Sequence, residues 1–378
     1  MELESSNLIF TKNVSHLEIP LSISYEKDIK IFIKFFLSAM GLINVFIIFV
    51  LLIIFLFNGI KSFVNPFELH FLNGTSKDLL NYYQDEQNNF CDNFRHLYDK
   101  KYESSIILYN VSLKEINFDI FIWINFDYIS RKILINHSYE KVATLHMLNA
   151  LKYYTVKYNY KNDDTMIIDS GTNIGWYSTV FTKFKYSLLS FVPLYENYYI
   201  LKKNFCRNSR DFFGKTSTIT IINEVLYPIE SSCSYFKDFR ALRKDIILCD
   251  KNKEKNLDND YIKINTVQTN ILNNFIPLIN NKKLTLLILN LEYEGEMFLE
   301  NENYLITKYH VPFIFIEFNM KMFIIHETRP QDFLKIFAQN GYKISLNGFL
   351  SRKFISIEDI MKASLSKVNL YIIYVGNE

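Results

Sequence analysis

A long uncharged segment near the N-terminus limits most strongly what this chain can fold into. No charged residue occurs from Phe35 to Ile60, and Phe35–Phe57 is apolar apart from Ser38 and Asn44. A helix rises about 1.5 Å per residue, so this run can cross a hydrocarbon core about 30 Å thick. It is too long, and begins too far from the N-terminus, for a cleaved signal peptide. The run therefore predicts a transmembrane helix.

The lysines that flank this segment indicate its orientation. Lys27, Lys30 and Lys34 precede it, whereas Lys61 alone follows it before Lys77. Because excess lysine stays on the cytosolic side, we expect a single-pass, signal-anchored protein. The predicted organisation is a cytosolic tail at 1–34, an anchor at 35–57, a stem at 58–104 and a folded domain at 105–378. That domain would lie in the lumen of the endoplasmic reticulum or Golgi, or outside the cell.

Cysteines and glycosylation sequons agree with this topology. All four cysteines follow the segment: Cys91, Cys206, Cys233 and Cys249. An oxidising compartment would permit disulfides between them, and four free core thiols are the alternative. Three sequons also follow it, at Asn73, Asn110 and Asn136. We therefore expect a membrane-anchored glycoprotein.

Composition and charge exclude several classes of function. Hydrophobic residues make up 49% of the chain, which is enough for a sizeable core and excludes general disorder. Lys+Arg 42 against Asp+Glu 40 leaves a net charge of +2, so the balance argues against a nucleic-acid partner. The seven histidines show no metal-ligand spacing, so we expect no metal site.

From about residue 105 the apolar patterns alternate between strand and helix, which predicts an α/β sheet. The clearest strands are Met166–Asp169, Ser187–Val192, Ser217–Ile222, Leu284–Leu291, Val311–Glu317, Tyr342–Leu346 and Leu370–Val375. The helical candidates are Tyr139–Tyr153, Trp176–Phe184, Tyr195–Phe205 and Asp332–Asn340. We expect a mostly parallel sheet with a late antiparallel strand contributed by the chain after Gly341.

The most informative motif is a glycine-containing turn between the first of these strands and the helix at Trp176. It reads Asp-Ser-Gly-Thr-Asn-Ile-Gly over residues 169–175. Glycine permits tight turning and close approach of a ligand to the backbone, and a helix N-terminus offers free N–H groups. A strand, a small-residue turn and a helix are the parts that a nucleotide-type cofactor requires.

Several segments together resemble the FkbM-type S-adenosylmethionine-dependent methyltransferases. The turn resembles the first motif of that family, and the segment Asp127–Glu140 resembles the part that precedes it. The segments Phe191–Phe205, 286–299 and 311–318, and the Gly-Tyr at 341–342, follow in the same order. The resemblance covers roughly residues 125–375. It implies a Rossmann-like methyltransferase sheet behind the anchor.

The resemblance also implies a cofactor, an acceptor and a set of site residues. S-adenosyl-L-methionine would contact Asp169, Gly171, Asn173, Gly175 and Asn223. Two carboxylates, Glu292 and Glu294, lie where the family has its Asp-x-Glu-Gly motif at the strand rim, with Glu292 in place of the preferred aspartate. They could orient an acceptor hydroxyl or act as general base. The expected activity is methyl transfer, with O-methylation of a small molecule or glycan. An acidic strand-to-helix cap without chemistry is the alternative for this pair.

Two observations keep other functions open. Where the family usually carries an acid that holds the cofactor ribose, this chain has Val192, so a non-catalytic relative is the first alternative. Glu196, one helical turn later, could replace that acid. Asp258 and Asp260 form an Asp-x-Asp of the kind that holds a cation in glycosyltransferases, which gives a luminal glycosyltransferase as the second alternative.

Overall fold

We describe the fold from a computed structural model of the whole chain. The residues described are 91, 100–114, 116–124, 127–209, 218–226, 231–238, 246–249, 254, 257, 259–279, 282–289, 305–320, 323, 329–363 and 367–376. The chain divides into two compact units, Met1–Gly74 and Thr75–Glu378. All described residues belong to the second unit. Among them, no helix is both long and apolar enough to cross a membrane. The predicted anchor at 35–57 lies outside them.

A seven-stranded mixed sheet forms the centre of the second unit. Its strands are β3 (Thr165–Ser170), β4 (Ser187–Phe191), β5 (Ile219–Ile222), β10 (Lys283–Leu289), β11 (Phe313–Phe318), β12 (Tyr342–Ser345) and β13 (Val368–Tyr374). Their spatial order is β12–β13–β11–β10–β3–β4–β5. Nearly every residue of β4, β5, β10 and β11 is buried. Continuous burial is expected of parallel strands that are covered on both faces.

The strand directions confirm the predicted mostly parallel sheet with a late antiparallel strand. β3, β4, β5, β10 and β11 run parallel to one another, whereas β13 is antiparallel to both β11 and β12. All seven predicted strands are present, with ends shifted by up to two residues. The buried runs were therefore a reliable guide to this sheet.

Helices follow the strands as the alternation predicted. They are α1 (Lys100–Glu103), α2 (Tyr128–Asn136), α3 (Lys141–Tyr158), α4 (Trp176–Lys183), α5 (Tyr195–Asn208), α6 (Ile276–Ile279), α7 (Pro330–Gln339) and α8 (Ile357–Ala363). The predicted helix at Tyr139–Tyr153 extends five residues further, to Tyr158. Asn159 is its C-cap, and the left-handed φ of 55° at Asn159 terminates the helix. α2 begins where the Asp127 carboxylate accepts the Ser130 N–H at 2.7 Å.

A β-hairpin precedes the sheet in the chain and packs against α5 and α4. β1 (Ile106–Leu113) pairs antiparallel with β2 (Ile116–Trp123), and alternate side chains such as Val111, Phe118 and Ile120 are buried in the main core. One face of a half-buried hairpin alternates in this way. The sequence patterns did not predict this hairpin, because its alternation is short and begins within the border between stem and domain.

A second, four-stranded sheet lies between β5 and β10 in the chain. It comprises β6 (Val225–Leu226), β7 (Ser231–Asp238), β8 (Ile246–Leu248) and β9 (Tyr261–Asn270), in the order β6–β9–β7–β8. The sequence patterns did not predict it, since the outer half of β9 is exposed and carries few consecutive buried residues.

Disulfides join all four cysteines of the chain. Cys233 pairs with Cys249 beside β7 and β8, and Cys91 pairs with Cys206 on α5, across 115 residues of sequence. The cysteines are thus not the free thiols that were the alternative. Paired cysteines are typical of proteins that fold in an oxidising compartment.

Candidate functional site

The sheet topology locates a ligand crevice before any side chain is considered. From β3 the chain proceeds outward through β4 and β5 on one side, and later returns to form β10 and β11 on the other. β3 and β10 are therefore neighbours at which the strand order reverses. In open α/β sheets, ligands bind outside the carboxyl ends of the strands at this topological switch point.

A pocket opens at that place, with about 380 Å³ of empty space including the part open to solvent. It is lined by residues from the ends of β3, β10 and β11, from the glycine turn, and from the start of α2, α3 and α4: Ile129, Tyr139, Glu140, Asp169, Gly171, Thr172, Trp176, Tyr177, Ile288, Leu289, Phe315 and Glu317. Three of the lining side chains are carboxylates. Its walls are otherwise mainly aromatic and aliphatic, as is usual for small-molecule sites.

The glycine turn has a conformation that its two glycines make accessible. Gly171 and Gly175 have φ of 78° and 88°, in the left-handed region that side chains with a Cβ disfavour. Gly175 is also the N-cap of α4 and provides no side-chain cap for the first helical N–H groups. A Cβ at Gly175 would lie 2.1 Å from Cδ1 of Leu201. Glycine is therefore required here both for its φ and for the approach of α5.

Buried hydrogen bonds fix this turn to the elements around it. The Thr172 N–H donates to the Phe191 carbonyl at the end of β4 (3.1 Å), and its hydroxyl donates to the Asp169 carbonyl (2.7 Å). The amide of Asn204 on α5, fully buried, donates to the carbonyls of Ile174 (2.9 Å) and Phe121 (3.2 Å). Asn204 thus joins the turn, α5 and the hairpin, a role that nothing in the sequence indicated.

Asp169 is a buried carboxylate at the carboxyl end of β3. Only 1% of it is exposed, and its Oδ2 accepts the Ser178 hydroxyl at 2.5 Å. The Ser178 hydroxyl lies 2.9 Å from that of Ser190 on β4. Burial raises the pKa of Asp169 from 3.8 to about 6, although the Ser178 and Thr172 hydroxyls partly offset the shift. The predicted site residue thus has the perturbed environment that is common at functional sites.

Glu140 is a second carboxylate of the pocket. No motif in the sequence indicated a role for it. It precedes α3, yet its side chain does not cap that helix. It accepts instead the hydroxyl of Tyr177, another lining residue. Burial, with Glu140 nearby, raises the pKa of Tyr177 well above its usual value, so this phenol remains a proton donor. The only signal in the sequence was an acidic residue immediately before a helix.

Glu317, at the carboxyl end of β11, is the third carboxylate. It is 5% exposed and pairs with Lys367, which also lies 3.8 Å from Glu140. Lys367 immediately precedes the antiparallel strand β13, whose register places Asn369 opposite Glu317. In the sequence, Glu317 and Asp169 are both the last residues of predicted strands, so both carboxylates could be located without the structure.

The predicted cofactor residues lie in the pocket wall, in the glycine turn and at the end of β5. Asp169 and Gly171 line the pocket, while Asn173 and Gly175 shape the turn. The Asn173 side chain accepts the Asn197 amide at 3.2 Å and is thereby held to α5. At the end of β5, the Asn223 amide donates to the Val192 carbonyl at 2.7 Å.

A buried hydrophobic side chain occupies the position where the motif resemblance places an acidic residue that binds the cofactor ribose. Val192 is 1% exposed and belongs to the main hydrophobic cluster, so residue 192 provides no carboxylate to the crevice. Glu196 lies in the first turn of α5 and is half-buried. It does not line the pocket described above.

Other predicted residues lie outside the described part of the chain or away from the crevice. Glu292 and Glu294 are outside it, although they follow the strand whose last residues, Ile288 and Leu289, line the pocket. Asp258 is also outside it, and Asp260 directly precedes β9 of the second sheet. In the described segments, no group of three or more His, Cys, Asp or Glu side chains could hold a metal ion.

The fold and crevice define an α/β protein with a pocket at the carboxyl ends of its central strands. No family model matches the sequence, and no curated protein matches it significantly. The solved structures to which the chain is similar include two methyltransferases. One is magnesium protoporphyrin IX methyltransferase from Synechocystis PCC 6803 with bound SAH, at 8% identity, a TM-score of 0.28, and coverage of 66% of this chain and 88% of that one.

The other is a putative RNA methyltransferase from Pyrococcus horikoshii, at 10% identity and a TM-score of 0.23. The matched region covers 59% of this chain and 79% of the Pyrococcus horikoshii chain. Similarities at this level carry no argument about substrate or activity. The likeness to the FkbM type therefore remains a resemblance between sequence motifs.

Proposed function

We propose that this chain is a membrane-anchored, S-adenosylmethionine-dependent methyltransferase, which methylates an oxygen of a small molecule or glycan. The observation that carries the proposal is the glycine turn beside buried Asp169 at the topological switch point of the sheet. The ordered resemblance of motifs over residues 125–375 supports the same activity.

The residues that surround the crevice fit this cofactor. S-adenosylmethionine supplies an electrophilic methyl group on a positively charged sulfur, and it also carries an ammonium group. Asp169, Glu140 and Glu317 provide three carboxylates, with Lys367 as a nearby cation. An excess of negative groups favours a cationic ligand. The turn itself offers close backbone approach at Gly171 and uncapped N–H groups at the start of α4.

Calorimetric titration of the full-length chain in detergent with S-adenosylmethionine tests the proposal. We expect micromolar binding, since the pocket combines shape with three carboxylates. The variant Asp260→Ala is a suitable control, because Asp260 precedes the second sheet and should leave this affinity unchanged. Absence of any binding heat would reject the enzymatic proposal. Heat with a nucleotide sugar and manganese that Asp260→Ala removes would favour the glycosyltransferase alternative.

One observation favours a second candidate, a non-catalytic protein that retains the fold. Val192 is buried in the core at the position where the family that the motifs resemble has its ribose-binding acid. If the cofactor site has been lost, the protein will not bind S-adenosylmethionine.

If the protein does bind S-adenosylmethionine, a group other than residue 192 must hold the ribose, and we propose Glu196 on α5 for that role. Glu196→Ala should then weaken binding of the cofactor.

The proposed location in the lumen or outside the cell has its own test. Asn136 is exposed at the end of α2, whereas the exposed Asn110 side chain donates to Asp119 at 2.9 Å. We therefore expect glycan on Asn136 before Asn110 when the full chain is expressed in a eukaryotic cell. Removal of the glycan by a glycosidase, and the variant Asn136→Gln, should both increase gel mobility. Asn13, in the sequon Asn13-Val14-Ser15, precedes the predicted anchor, so a glycan on Asn13 alone would show that the orientation is reversed.

A further inference from the structure

Glu140 has a backbone conformation that its position before a helix does not explain. Its φ and ψ are 39° and 49°, in the left-handed region that residues other than glycine enter at a cost. Glu140 is the N-cap residue of α3, yet its carboxylate makes no capping hydrogen bond. The side chain lines the pocket instead.

Donors from two separate elements hold this carboxylate in place. One oxygen accepts the Tyr177 hydroxyl from α4 and lies 3.4 Å from the Asn369 amide nitrogen of β13. The other lies 3.8 Å from the Lys367 ammonium, which also pairs with Glu317. These contacts restrict the rotamers of Glu140 before any ligand arrives. A side chain locked in this way can bind a ligand group with little further loss of entropy.

We propose that Glu140 is a ligand-contacting carboxylate of the pocket, which recognises the positively charged part of S-adenosylmethionine, and that Lys367 and Asn369 are its positioning residues. This inference rests on the proposed function. It adds to that function a residue to which neither the motif resemblance nor the sequence assigned a role. It also gives the antiparallel strand β13 a part in the site, since Asn369 lies in this strand and Lys367 directly precedes it.

The charges around the pocket support a cationic ligand group. Glu140, Glu317 and Asp169 line it, and Lys367 is the cation that contacts two of them. Asp169 lies on β3 and Tyr177 on α4, so negative and hydrogen-bonding groups face the pocket from both sides of the switch point. Lys367 pairs most closely with Glu317, which leaves Glu140 able to serve a second positive charge.

The first experiment compares Glu140→Gln with a matched control in the full-length chain. Glutamine keeps the size and one acceptor oxygen but removes the charge. Glu103→Gln is the control, because Glu103 also accepts a tyrosine hydroxyl (Tyr199) and a lysine ammonium (Lys203) but lies outside the pocket. We expect Glu140→Gln to weaken binding of S-adenosylmethionine about tenfold, and Glu103→Gln to leave it unchanged.

The second experiment separates positioning from simple structural support. Lys367→Met should weaken binding severalfold, and Lys367→Arg should restore it, because arginine keeps a cation beside both carboxylates. Parallel titrations with S-adenosylhomocysteine, which lacks the positive sulfur, identify the charge that is recognised. A loss confined to S-adenosylmethionine assigns the sulfonium, and an equal loss for both ligands assigns the ammonium. Either result supports the proposal.

Two outcomes would overturn the inference, and they are distinguishable. If the wild-type chain binds S-adenosylmethionine and folded Glu140→Gln binds it equally well, this inference is wrong and the proposed function stands. If the wild-type chain does not bind, the proposed function is wrong and the inference falls with it. Circular dichroism establishes folding of each variant. If Glu140→Gln does not fold, Tyr177→Phe, which removes only the hydroxyl that holds Glu140, replaces it, and unchanged affinity there is equally contradictory.

Discussion

Replacing Asp169 by asparagine is expected to raise the free energy of unfolding by about 3 kcal/mol at pH 8, and to abolish binding of S-adenosylmethionine. Burial raises the pKa of this carboxyl from 3.8 to about 6 in the folded protein. Between these two values the folded chain binds more protons than the unfolded chain, so the stability that this group contributes falls as pH rises. Asparagine is close in size and stays neutral, and therefore avoids that penalty.

Denaturant unfolding of wild type and Asp169→Asn at two pH values measures this effect. At pH 4 the two free energies should agree to within about 1 kcal/mol, because the wild-type carboxyl is then protonated in the folded state. Ser178→Ala is a useful companion, since it removes the hydroxyl that donates to Asp169. A pH-independent difference between wild type and Asp169→Asn would contradict the assigned environment. Greater stability with lost binding would mark Asp169 as a residue retained for function.

Gly175→Ala is expected to lower the free energy of unfolding by about 2–4 kcal/mol. Its φ of 88° disfavours any residue with a Cβ, and the new atom would lie 2.1 Å from Cδ1 of Leu201, which is fully buried and cannot move away freely. The variant should also bind S-adenosylmethionine more weakly, because the turn that borders the pocket must shift. Equilibrium unfolding and calorimetry provide the two measurements.

Gly376 offers a matched control for the backbone part of this effect. Its φ is 93°, but a Cβ there would meet no atom within 4 Å. Gly376→Ala should therefore cost only the conformational part, about 1–2 kcal/mol. The double variant Gly175→Ala with Leu201→Ala removes the atom that clashes, so the two effects should not be additive. Equal losses at both glycines would show that the approach of α5 to the turn is not a constraint.

Much of the sheet could be predicted because its strands are locally encoded. Runs such as Leu284–Leu291 and Val311–Glu317 are predominantly apolar, and the structure has strands at Lys283–Leu289 and Phe313–Phe318. Continuous apolar runs of this length suit strands that are buried on both faces. The glycine turn was equally visible, since its glycines adopt a conformation that other residues avoid. Two of the predicted cofactor residues, Asp169 and Gly171, line the pocket.

The hairpin and the second sheet could not be predicted in the same way. The exposed part of β9 lacks a buried face, and the hairpin strands are stabilised by contacts with α5 that are remote in sequence. Strand propensity of this kind depends on what the side chains pack against. Long-range partners are invisible to local periodicity.

The sequence by itself determined the order of the central-sheet strands and their helices along the chain, the turn at 169–175, and the carboxylates at the ends of β3 and β11 and before α3, because each depends on neighbouring residues. Only the tertiary structure decided which of those carboxylates share one pocket. Glu140 meets the Asn369 amide across 229 residues of sequence, and Lys367 reaches Glu317 because β13 lies antiparallel beside β11. Such contacts are set by the order in which strands pair, and no local pattern encodes that order.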